Sequence, residues 1–131
     1  MNLAVVRSIG SPRGLASPAA AEEFEQEIVD QHALAMVGAG LTDSYIDAER
    51  SAVIEFARFL GQPVWTAAGK DADRYLTWLR RDRGLTRSTV ETKAGALARF
   101  FEFMIARYQG DIHALTGVVV VQPVRAWMSP W

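Results

Sequence analysis

Arg80, Arg81, Arg83 and Arg87 lie close together in the chain, and Lys93, Arg99 and Arg107 follow them at intervals a helix would place on one side. Ser88 and Thr89 sit at the junction between the two groups. Guanidinium and ammonium groups beside hydroxyls are the chemistry of phosphate recognition. The cations neutralise the backbone charge of a polyanion, and the hydroxyls add hydrogen bonds that fix register. If Ser88 and Thr89 open a helix, its free N–H groups would favour an anion at the same place. The same residues also have an ordinary use. Cations at the end of a helix stabilise its dipole, and Ser or Thr at a start is a common cap.

No other chemistry converges in this sequence. There is no cysteine, which excludes disulfides, thiolate metal sites and thiol nucleophiles and suits a reducing cytoplasm. His32 and His113 are the only histidines, and neither stands in a metal-ligand spacing. No phosphate-binding glycine loop and no nucleophile elbow is present. The acids at Glu22, Glu23, Glu25 and Glu27 read as the solvated start of a helix. Trp65, Trp78, Trp127 and Trp131 read as packing or tail residues. No catalytic residue, metal, cofactor or small-molecule substrate is therefore expected.

The net charge of −1 hides a division. Residues 1–65 carry four bases against nine acids, whereas residues 66–109 carry nine bases against five acids. Half of the 131 residues are hydrophobic, enough for one domain with a core, and no apolar run approaches the ~20 residues of a membrane span.

The elements that would carry these side chains are helices. Residues 1–17 read as a flexible lead-in. Ser17 and Pro18 then start a helix over 18–37, which the Gly38–Gly40 stretch ends. A second helix begins at Thr42 or Asp43, carries an apolar stripe of Tyr45, Ala48, Ala52, Phe56, Phe59 and Leu60, and stops at Gly61. A third spans 69–82, with Gly84 as a left-handed cap. The fourth and longest opens at Thr86 or Ser88 and ends at Gly110, with a short helical turn at 112–115 and an extended β-branched patch at 118–121. Val90, Ala94, Leu97, Phe101, Met104, Ile105 and Tyr108 form its inner face, which puts Thr89, Thr92, Lys93, Ala96, Arg99, Phe103 and Arg107 outside. That outer surface carries cations and no acid. The pattern predicts an all-α bundle of four to five helices.

An ordered set of short runs adds a resemblance: TDSY at 42–45, FARFL at 56–60, VWT at 64–66, DADRYLTWL at 71–79, GLTRSTV at 84–90, ALARFFEFM at 96–104, and Pro123. Residues 41–123 resemble the N-terminal core-binding, SAM-like domain of tyrosine recombinases and phage-type integrases. The resemblance implies a helical bundle that grips one side of duplex DNA during recombination or integration. Ser88, Thr89 and Lys93 would then meet phosphates or groove edges. Thr42, Ser44 and Arg50 would do so from the second helix, and Arg87 and Arg99 would flank them. Arg80, Arg81, Arg83 and Arg107 complete the expected DNA-binding set.

The recombinase chemistry itself belongs to a further domain. The expected division is a tail at 1–17, an extra helix at 18–40, the core-binding domain at 41–123 and a tail at 124–131, so the chain reads as an excised piece, a truncated product or a natural stand-alone module. Tyr45, Tyr75 and Tyr108 all fall in predicted buried stripes, which argues against a nucleophile. With about six phosphate contacts, a fourfold rise in salt would weaken binding roughly a thousandfold. Lys93→Ala and Arg99→Ala are expected to weaken binding with little loss of stability. The alternative is a protein-interaction bundle that forms a homo-oligomer through the Phe24 to Met36 face of the first helix.

Overall fold

The computed structural model describes Leu15 and residues 17–124. Among these residues the chain forms four α-helices and one 3-10 turn: α1 (Pro18–Gly38), α2 (Asp43–Leu60), the turn Val64–Thr66, α3 (Gly69–Arg81) and α4 (Arg87–Thr116). Tail positions 1–14 and 125–131, with Trp127 and Trp131, lie outside the described residues.

The helix ends follow local chemistry. The Ser17 hydroxyl accepts from the Ala20 N–H at 3.1 Å, with Pro18 directly after the cap. Thr42 caps α2 through the Tyr45 N–H at 3.2 Å, and Thr86 caps α4 through the Thr89 N–H at 3.3 Å. The cap of α3 is Ala68, whose N–H donates to the Asp71 carboxylate at 2.9 Å. Gly61 closes α2 at φ 72° and Gly84 turns the chain after α3 at φ 66°. A side chain would strain either backbone.

Gly110 does not end the last helix. Helix α4 passes through it and runs 30 residues, so the expected turn at 112–115 is its final part. A glycine in an exposed helix costs only about 1 kcal/mol, and burial of Ile112 and Leu115 beyond it outweighs that.

Helix α4 is the spine. Val90, Ala94, Leu97, Phe100, Phe101 and Met104 are buried along it. Phe56 meets Tyr75 at 5.3 Å and Phe101 at 6.2 Å, tying α2, α3 and α4 together through edge-on rings. Helix α1 belongs to the same core: Phe24, Ile28 and Val29 are buried in one cluster with Phe56, Leu79 and Phe101. Phe24 packs against Trp65 at 5.3 Å and Tyr108 at 6.0 Å. The first helix is thus a wall of the bundle, and the Phe24 to Met36 face expected to bind a second copy is turned inward.

Two stripes differ from the sequence reading. On α2, Ile46, Glu49, Val53 and Phe56 face in, while Tyr45 and Ala48 face solvent. On α4, Ala96 is buried and Phe103 packs against His32 at 5.0 Å. Both shifts have one cause: α1 and α2 cover a flank of α4 that a two-sided helix would leave wet. After α4 the chain is extended, with Val120 buried and Val119 and Val121 exposed.

Candidate nucleic-acid interface

The residues expected to meet DNA fall into two groups, separated by what each cation touches inside the protein. The flank of α4 is not acid-free in three dimensions. Arg99 donates to Glu49 on α2 through Nε at 3.0 Å and NH2 at 2.6 Å. Glu49 is 4% exposed and Arg99 about half exposed. That hydrogen-bonded pairing, set against a smaller cost of burial, raises the pKa of Arg99 further. Lys93 lies 3.5 Å from Glu55, also on α2. Arg83 donates to the other oxygen of Glu55 at 2.5 Å, and Tyr75 donates its hydroxyl to Oε1 at 2.6 Å. Burial pushes the Glu55 carboxyl up, but hydrogen bonds from Tyr75 and Arg83, with the Lys93 charge, outweigh it and hold it below the usual range. Burial and the same bond drive the Tyr75 phenol the other way, above its ordinary range. Carboxylates from the acidic half of the sequence thus neutralise three of the expected contacts: Arg83, Lys93 and Arg99.

Other cations are also engaged. Arg50 pairs with Asp30 on α1 at 2.8 Å, which ties α2 to α1 instead of leaving that side chain free. Arg87 pairs with Glu91 one turn later at 3.0 Å, but it is 72% exposed, and such surface pairs exchange readily. Arg107 lies over the Phe103 ring at 5.1 Å and remains exposed.

The second group is open. Arg80 and Arg81 close α3, are exposed, and take part in no ion pair among the described residues. They line a surface groove of about 540 Å³ with Asp73, Leu76, Thr77 and Val90. Val90 belongs to the first turn of α4, so the groove joins the end of one helix to the start of the next. Ser88 and Thr89 stand exposed at that start. The Thr86 hydroxyl donates to Thr89 Oγ1 at 3.0 Å and lies 3.4 Å from Ser88 Oγ. The groove therefore joins Arg80 and Arg81 to the first turn of α4, on which Arg87, Ser88 and Thr89 are exposed, while Arg83 and Lys93 are held on Glu55. Thr42 and Ser44 are exposed at the start of α2, and Thr42 Oγ1 is spent on its cap.

The family model described as phage integrase, N-terminal SAM-like domain, matches residues 28–111. The chain belongs to this family. No curated protein and no solved structure matches. The match takes in α2, α3, most of α4 and the second half of α1, so the α3–α4 corner lies wholly within the integrase domain. Among the described residues of this SAM-like domain no cluster of His, Asp or Glu could hold a metal ion, and no helix is long and apolar enough to cross a membrane.

The sequence reading missed the roles of Glu49 and Glu55, whereas His32 is a lone histidine without metal-ligand spacing, as read from the sequence. His32 is buried, and neither ring nitrogen has a hydrogen-bond partner among the described residues. It stacks edge-on against Phe100 at 5.4 Å. Burial lowers its pKa and the Arg99 charge lowers it further, while Glu49 acts in the opposite direction. A faint signal for Glu49 was available: it is the one acid in register with Ile46, Val53 and Phe56.

Proposed function

We propose that this domain grips the phosphate backbone of duplex DNA, serving recombination or integration by a tyrosine recombinase, and has no catalytic activity of its own. Membership of the integrase family supports the setting. The single observation that carries the reading is the α3–α4 corner, where Arg80 and Arg81 are exposed and form no ion pair among the described residues, along a groove that reaches Val90 in the first turn of α4. Unpaired surface arginines at a helix junction give up no internal bond when they meet a phosphate. This moves the centre of the expected interface from the α4 flank to its first turn.

The non-catalytic reading is supported by Tyr75 alone, since Tyr45 is 38% exposed and Tyr108 only half-buried. Tyr75 is buried with its hydroxyl committed to Glu55, which disfavours it as a nucleophile. The partner is double-stranded DNA, and no cofactor enters. The test is titration of a fluorescent duplex at a series of salt concentrations. Binding whose log affinity falls linearly with log salt, with a slope of about −3 to −5, is expected for four or five phosphate contacts. Absence of binding at low salt, or binding without salt dependence, overturns the proposal.

One observation favours a protein contact as a second reading. Leu34, Val37, Leu41 and Tyr45 are exposed apolar side chains around the turn from α1 to α2. Patches of this kind mark contact surfaces. A sedimentation profile that shows only monomer at high concentration counts against self-association through this corner.

A further inference from the structure

Two carboxylates of α2 reach the basic side of the bundle, and they differ in kind. Glu49 is 4% exposed and held by a two-pronged bond from Arg99. It is a structural partner, locked by burial. Glu55 is 27% exposed and is shared among three donors on three other parts of the chain: Tyr75 of α3, Arg83 in the turn after α3, and Lys93 of α4. Arg83 is 41% exposed and Lys93 is 25% exposed, so both cations keep a path to solvent. Arg83 also lies over the Trp78 ring at 5.4 Å.

The arrangement has a chemical consequence. A phosphate that reaches the α3–α4 corner meets Arg80 and Arg81, which form no ion pair among the described residues although Asp73 also lines their groove. To recruit Arg83 and Lys93 it must compete with Glu55, whose charge has the same sign as its own. Ion pairs with this degree of solvent access are weak enough to change partners, and like charge near the site lowers the gain from each new contact. We propose that Glu55 restrains DNA binding by this domain, holding Arg83 and Lys93 on an internal carboxylate that a phosphate backbone has to displace. This rests on the reading of the α3–α4 corner as a DNA contact. Two of the domain's cations are thereby held in reserve, so indiscriminate electrostatic adhesion is reduced while the first contacts at Arg80 and Arg81 stay available.

Glu55→Gln tests the idea cleanly. The amide oxygen still accepts the Tyr75 hydroxyl, so the buried bond survives while the charge is lost. Glu102→Gln removes the same charge at an exposed position of α4 away from the cluster and controls for net charge. Wild type and both variants are titrated with one duplex of arbitrary sequence over a salt series, with thermal melts recorded in parallel. Glu55→Gln is expected to bind about three- to tenfold more tightly at low salt, with a salt slope more negative by about one to two, because two further cations reach phosphates. Glu102→Gln is expected to stay within about twofold of wild type. Wild-type binding with an unchanged or weaker Glu55→Gln overturns the restraint and leaves the DNA reading standing. Equal gains in both variants also overturn it, because net charge then accounts for the effect. No binding by any of the three overturns both the restraint and the DNA reading. Binding by Glu55→Gln alone supports the restraint in its strongest form. If Glu55→Gln melts well below wild type, Glu55→Asp replaces it. The shortened carboxylate reaches the cations less well, so tighter binding than wild type is again expected, and weaker binding overturns the restraint.

Discussion

Arg99 of α4 and Glu49 of α2, fifty positions apart in the chain, are joined by two hydrogen bonds across the bundle. One partner is buried and the other is half in solvent. Arg99→Ala therefore leaves a carboxylate in the interior without its counter-ion. We predict a loss of about 1–3 kcal/mol in urea unfolding, at the modest end for such pairs because Arg99 is open to water. This corrects the expectation that the substitution spares stability. Arg99→Lys should recover part of the loss, since it restores the charge but not the fork. A variant as stable as wild type would show that the pair contributes nothing.

His32 should make the fold acid-sensitive. Its folded pKa lies below the ordinary value of 6.5, chiefly because of burial. Above that value the ring is neutral in both the folded and unfolded states, and the contribution is constant. As pH falls below about 6.5 the unfolded chain takes up the proton first, so stability declines until the folded pKa is passed. The slope from this one group cannot exceed about 1.4 kcal/mol per pH unit. His32→Phe, set among Phe100 and Phe103, should flatten the stability profile between pH 7 and 5. An unchanged profile assigns the acid sensitivity elsewhere.

Gly110 offers the opposite kind of change. It lies inside α4, exposed, and a methyl group added there meets nothing within 4 Å. Gly110→Ala is predicted to raise stability by about 0.5–1 kcal/mol through helix propensity alone. Gly84→Ala, also sterically open but at φ 66°, should lower it by about 1–2 kcal/mol. Thermal melts of the two variants should move in opposite directions.

The Arg80→Ala, Arg81→Ala double variant isolates the corner. Neither side chain supports the interior, so the loss of stability should stay under about 1 kcal/mol, the size of a helix-end effect. Affinity for duplex DNA should fall uniformly across sequences, and the salt slope should flatten by about two. An unaltered slope places the phosphate contacts elsewhere.

The helices were legible because their ends are written locally. Thr42, Thr86, Gly61 and Gly84 each act within a few positions of themselves, and each does what its type suggests. The one boundary that slipped, at Gly110, is a case where burial several residues away outweighs a local preference. The candidate site was legible only in part. The basic residues and the α3–α4 corner could be read directly. The partners of those residues could not, since Glu49 and Glu55 reach α4 from α2 across more than thirty positions. Periodicity tells which side of a helix is polar, but it does not tell what stands opposite. Tyr45 shows the same gap: its spacing suits a core stripe, yet Ile46 is the side chain that packs inward and Tyr45 is 38% exposed.

The depth at which Phe24 is set has a practical meaning for anyone cutting this sequence. The family likeness begins at Ile28, midway along α1, and a fragment made to that edge would discard both the Ser17 cap and the ring that fills the space beside Trp65. The recognisable stretch and the self-sufficient stretch are different lengths of chain. A piece that begins at Leu41 would lose a whole side of its interior and should be unfit as a stand-alone polypeptide.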